Sequence, residues 1–136
     1  MFFDCNSIKS IDLSSFHTPK LTSMSRMFHK CTSATKILVP NLDTSHVTNF
    51  NGVFAYCTVV KDLDLTSFDT SNVTDLSYMF DTCKNITNIY ISNKWTNKKV
   101  KSTTNTFYDT PKLLKGTGTT PKEQAQARPV GNFILK

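Results

Sequence analysis

The sequence predicts an α/β solenoid: a right-handed stack of about four coils with a parallel sheet on one side and short helices on the other. Three observations carry that expectation. Cysteines fall at Cys5, Cys31, Cys57 and Cys83, a constant spacing of 26 residues. A phenylalanine precedes each by three residues (Phe2, Phe28, Phe54, Phe80), and an apolar residue follows each by three (Ile8, Ala34, Val60, Ile86). Further apolar positions recur in the same phase, at Ile11, Ile37, Leu63 and Ile89 and again at Leu13, Val39, Leu65 and Ile91. A repeat of this length marks stacked supersecondary units, none of which can bury its apolar face alone.

Within a unit the strand comes first. Ile11 and Leu13 alternate with Ser10, Asp12 and Ser14, and Leu63 and Leu65 alternate with Asp62, Asp64 and Thr66, the two-residue period of a half-buried strand. The spacing then changes. Val73, Leu76, Met79, Phe80 and Cys83 make one stripe of a 3.6-residue period and predict a short helix. Asp69, Thr70, Ser71 and Asn72, and likewise Asp43, Thr44 and Ser45, supply side-chain oxygens that can cap its first turn. Stacking pairs each strand in parallel with the next, through right-handed connections by default. It predicts one column of Phe16, Leu42 and Phe68, a second of Phe28, Phe54 and Phe80, and a third of the cysteines.

The repeat decays after Ile91. One extra residue is taken, Trp95 stands at the strand exit, and Thr103, Thr106 and Thr110 replace the apolar helix stripe and its cysteine. The organisation expected is a repeat region over 1–93, with units starting near 1, 27, 53 and 79, a degenerate capping repeat with a weakened helix over 94–118, and a tail over 119–136. Glycine, threonine and proline density predicts poor order near 115–128. Phe2 and Phe3 have no preceding coil to cover them, which predicts that the chain is a piece of a longer protein.

At 136 residues with 38% apolar side chains the chain is one domain with a thin core. No apolar run approaches the roughly 18 residues of a membrane helix, and no signal peptide pattern is present at the start. The net charge of +6 is uneven: residues 1–93 carry seven Lys or Arg against eight Asp, and 94–136 carry nine against two acidic residues. That basic end, including Lys94, Lys98, Lys99 and Lys101, reads as a solvated surface. It lacks the aromatic interleaving of a nucleic-acid module, so no nucleic-acid partner is expected.

The segments IDLSSFHTPKLTSMSRMFHKC (11–31) and LDLTSFDTSNVTDLSYMFDTC (63–83) closely resemble the repeat of BspA-like leucine-rich-repeat surface proteins, a repeat also abundant in mycoplasma lipoproteins. Strand motif, FDTSNVT turn and MFxxC ending agree over three units. The resemblance implies a leucine-rich-repeat-like solenoid, placement at the cell surface or secretion, and adhesion to protein or glycan ligands such as host extracellular matrix. The second unit departs from it, with Leu38 where Asp12 and Asp64 sit and Pro40 at the strand exit.

The cysteine ladder does not read as chemistry. Equivalent positions climb about 4.8 Å per coil, so four sulfurs would spread over roughly 14 Å and could not surround one zinc ion. Neighbouring thiols come within disulfide range but point the same way, and a column of buried free thiols is expected. His17, His29 and His46 occupy unrelated phases and read as surface residues. With no nucleophile, metal or phosphate-loop motif, neither an enzyme nor a cofactor is expected. What remains is the outward row of the sheet, whose side chains vary where the inward ones repeat. Asp12, Lys36, Leu38, Asp62, Asp64, Asn88 and Tyr90 are therefore the candidate partner-binding residues of a non-enzymatic surface module. The alternative is a structural spacer or self-assembling surface scaffold. The uncovered Phe2, Phe3 and Ile8 and the free edge of the first strand further predict a two-fold homodimer through the N-terminal face.

Overall fold

The computed structural model describes residues 1–113 and the backbone of 133–135. Its regular elements are five short strands: β1 (Ser10–Asp12), β2 (Lys36–Leu38), β3 (Asp62–Asp64), β4 (Asn88–Ile91) and β5 (Phe133–Leu135). All pairing is parallel. β1 pairs with β2 in one sheet, and β3, β4 and β5 form a second. The 26-residue repeat sets the register, with Ile11 opposite Ile37 and Leu63 opposite Ile89. β5 breaks that interval, since Phe133 lies opposite Ile89. The apolar end of the chain thus returns as a strand beside β4. A second line of parallel bridges joins Ser23 to Asn49, Asn49 to Asp75 and Asp75 to Ser102, the last step being one residue longer.

The α/β solenoid with a helical side is overturned: among the described residues there is no helix. Where helices were expected, each coil runs through consecutive tight turns. Met79 N–H donates to the Leu76 carbonyl (3.2 Å), Asp81 N–H to Tyr78 (3.1 Å) and Cys83 N–H to Phe80 (3.2 Å). The amides in between leave the coil. Leu76 N–H donates to Ser102, Tyr78 to Thr104, Phe80 to Thr106 and Thr82 to Tyr108, all at 2.7–2.9 Å. An α-helix would spend every one of these donors internally on residue i−4. Tyr78 and Thr82 also lie in the left-handed region, at φ 58° and 55°, which a helix cannot contain. The weakened helix expected over the fourth unit is corrected in the same way, since Asn105 (φ 53°) and Asp109 (φ 51°) continue the turns. The expected caps are turn residues. Asp69 and Asp43 accept from the amides two residues on, Ser71 and Ser45, at 2.9 and 3.0 Å.

The core is a set of columns. Ile11, Ile37, Leu63 and Ile89, and Leu13, Val39, Leu65 and Ile91, are all buried as their alternation requires. The phenylalanine column is longer than expected: Phe2, Phe28, Phe54, Phe80 and Phe107 stack nearly parallel with centroids 5.3–5.8 Å apart. Phe2 packs on the core, whereas Phe3 is half exposed. In the remaining column Leu42, Phe68 and Trp95 are buried but Phe16 is not. The stretch 115–128, expected to be poorly ordered, lies outside the described residues.

The cysteines are free thiols, three of them fully buried and Cys5 partly exposed. Each buried one bonds back to the preceding coil: Cys31 Sγ to the Phe2 carbonyl (3.1 Å), Cys57 to Phe28 (3.2 Å) and Cys83 to Phe54 (3.0 Å). Burial pushes the Cys31 thiol up to about 11 and Cys83 to about 12, and holds Cys57 well above its ordinary value. Thr110 stands at the next position, buried, its hydroxyl donating to Phe107 (2.7 Å). A threonine column missed in the sequence ties the turns: Thr44 Oγ1 accepts from Asp69 N–H (2.8 Å) and donates to its carbonyl (3.0 Å), and Thr70 does the same at Thr96.

Phe54→Ala should cost about 3–5 kcal/mol, because it removes a ring clamped between two others, whereas Tyr108→Ala at an exposed position should cost no more than about 0.5 kcal/mol; urea midpoints compare the two. Alkylation of the native protein at neutral pH should modify Cys5 alone, and all four thiols once denaturant is added. Each unit of raised pKa lowers the reactive thiolate about tenfold, so protection of the other three should persist when the pH is raised to 9.

Candidate functional site

Outward side chains of the sheet gather where, among the described residues, the strand ladder is interrupted between β2 and β3. β2 and β3 are neighbours in the stack but belong to different sheets. On one side of this break the second unit departs from its neighbours. Pro40 has no amide to donate, and Leu38 stands where the first and third coils carry Asp12 and Asp64 and the fourth carries Tyr90. In the first and third coils the aspartate locks the exit turn: Asp12 accepts from Ser14 N–H (2.9 Å), and Asp64 from Thr66 N–H (3.1 Å) and Thr66 Oγ1 (2.6 Å). Leu38 can make no such bond. A side-chain bond, Ser67 Oγ to the Val39 carbonyl at 3.1 Å, spans the seam instead.

A groove of about 680 Å³ lies over the seam. Of the seven residues expected to bind a partner, it brings together five: Lys36, Leu38, Asp62, Asp64 and Tyr90. Asp12 and Asn88 do not line it. Asp12 is exposed on β1, its carboxyl held below the ordinary value mainly by the Ser14 hydroxyl and amide, with Lys36 assisting. Asn88 stands beside the groove and donates to Asp62 Oδ1 (2.6 Å), orienting that carboxylate. The sequence reading missed Lys61 and Val59, which enter from the segment before β3, and Ile37 and Val39, core residues that also line the groove where the sheet parts. In the sequence, the second unit's departures at Leu38 and Pro40 mark the place.

The groove has an apolar wall of Leu38, Pro40 and the Tyr90 ring, with acidic Asp62 and Asp64 and basic Lys36 and Lys61 around it. Such a surface suits recognition by shape and charge. Of the histidines, His17 and His46 are exposed, while His29, expected at the surface, is half buried between the Phe3 ring (5.0 Å) and Tyr56 (5.5 Å). Burial holds it below its ordinary pKa, with Arg26 and Lys30 adding to the shift and Asp81 and Asp4 opposing it. Among the described residues no group of three His, Cys, Asp or Glu side chains is placed to hold a metal ion, and no helix is long and apolar enough to cross a membrane.

No curated protein and no solved structure matches this sequence. A family described as Mycoplasma protein of unknown function, DUF285, matches residues 1–118, which covers every repeat unit and the groove. The chain therefore belongs to the DUF285 family.

Proposed function

We propose that the chain is a non-enzymatic binding module, displayed on the cell surface or secreted, that holds an extended segment of a partner protein in the groove between β2 and β3. The observation that carries this reading is the groove itself. It sits where the repeat departs from its own pattern, and its outward residues do not serve the packing that fixes the inward ones. Its chemistry favours a segment that presents an apolar side chain to Leu38, Pro40 and Tyr90 and a basic one to Asp62 and Asp64. A buried apolar anchor ringed by charges is the usual layout of a protein-recognition site. The likeness of the repeat to BspA-like surface proteins supports the location and the adhesive role.

The test is binding to immobilised extracellular-matrix proteins, with surface-bound oligosaccharides alongside. The parent should bind a matrix protein. Leu38→Asp and Tyr90→Asp, both at half-exposed positions, should weaken that binding about tenfold or more, the loss expected for an anchor residue, with little change in the urea midpoint. Unchanged binding in both variants, or none by the parent, would leave the structural spacer as the better reading. Binding only to oligosaccharides would replace the protein segment by a glycan.

A further inference from the structure

The turn side of the stack carries a second concavity, and it too lies where the repeat is interrupted. Two outward columns run along that side. One consists of residues in the left-handed conformation, Arg26 (φ 55°), Gly52 (φ 60°), Tyr78 (φ 58°) and Asn105 (φ 53°). The other is formed by the residues next to the stacked phenylalanines: Phe3, His29, Ala55, Asp81 and Tyr108. Both columns fall to their smallest member in the same coil, at Gly52 and Ala55. The result is a notch of about 260 Å³. Left-handed backbone does not explain the glycine, because arginine, tyrosine and asparagine hold the same conformation above and below it. Nor does crowding, since a Cβ at Gly52 would meet Arg26 Cγ at 3.5 Å and His29 Cδ2 at 3.7 Å, ordinary contact distances.

The walls of the notch are mixed in a specific way. Tyr56 and Tyr78, each 38% exposed, also line it. Arg26 and Asn51 bring N–H donors, and buried Asp81 brings a carboxylate acceptor already oriented by Thr82 Oγ1 (2.7 Å). His29 lines the floor, and its Nδ1 is buried with no hydrogen-bond partner. A half-turn of the imidazole exchanges Nδ1 with Cδ2, the edge that faces Gly52, and so turns the orphaned nitrogen into the notch.

We propose that this notch binds a single sugar ring, presented either as a free monosaccharide or as the terminal residue of a glycan. Hydroxyl groups both donate and accept, and a ring bearing several of them matches a site that holds donors and an acceptor together. A simple anion would be opposed by Asp81 and a simple cation by Arg26. The apolar C–H face of the ring lies on Tyr56 or Tyr78, and one hydroxyl satisfies His29. The volume is below that of pockets for larger ligands, which begin near about 300 Å³, so one ring is held and not a chain.

Saturation-transfer NMR with free glucose, galactose, mannose and N-acetylglucosamine, and binding to immobilised oligosaccharides that end in each, test the site. At least one sugar should bind in one of the two formats, and binding of only the immobilised form identifies the glycan as the source. Gly52→Asn, which fills the notch with a residue that tolerates this φ as Asn105 does, and Arg26→Ala should each weaken binding about tenfold, the loss of roughly one good polar contact. Leu38→Asp should leave it unchanged, which separates this site from the sheet groove. Should Gly52→Asn shift the urea midpoint, the exposed substitutions Arg26→Ala and Tyr78→Ala decide. No binding in either format, or equal binding by the parent and these variants, overturns the proposal.

Discussion

Everything in this protein depends on how a chain with almost no regular structure satisfies its backbone. Each coil sends alternate amides in two directions, one back three residues to close a turn and the next across to the neighbouring coil. Buried amides and carbonyls cannot be left without partners. The turns therefore form only where another coil is present to take the outward donors, and the coil stack holds together only because the turns aim them. Left-handed residues make the alternation possible. Arg26, Lys30, Gly52, Tyr56, Tyr78 and Thr82 occupy that region in strict repeat phase, though only one of them is glycine. A non-glycine residue there costs energy, and the interlocked ladder offsets the cost.

The side-chain columns answer the same demand. Stacked phenylalanines fill the centre, with shallow interplanar angles of 5–11° between successive rings. The buried cysteines are small enough to lie beside the rings and still carry a donor for the carbonyl of the coil before. At the next position Thr110 fills the equivalent buried space, but its hydroxyl donates within its own coil, to the Phe107 carbonyl three residues back. Thr44 and Thr70 bind both the amide and the carbonyl of the following coil, so a single hydroxyl joins two coils where no strand does.

A structure that repeats so strictly displays its departures. A groove lies at Leu38 and Pro40 on one side, where the sheet parts; Gly52 and Ala55 leave a notch on the other. Both concavities arise from residues of the second and third units that keep the inward columns intact and change only outward positions. Surface chemistry can vary in this way at little cost to stability, because the packing and backbone bonds that hold each coil lie elsewhere.

The sequence by itself determined the period, the strands and the inward columns. Cys31, Cys57 and Cys83, Phe28, Phe54 and Phe80, and Ile11 through Ile91 are buried as their phase required, and five of the seven candidate partner-binding residues line the groove. It could not distinguish helix from turns. Val73, Leu76, Phe80 and Cys83 are three or four residues apart in both, so apolar spacing is the same and the difference lies in where the amides point. Only the tertiary structure decided that, since Leu76 and Phe80 find their acceptors at Ser102 and Thr106, a whole coil away. The same limit hid Lys61 and Val59 in the groove and joined Gly52 to Asp81 across the notch. These residues meet through the stacking of coils, and no local pattern in the chain records which neighbours that stacking brings.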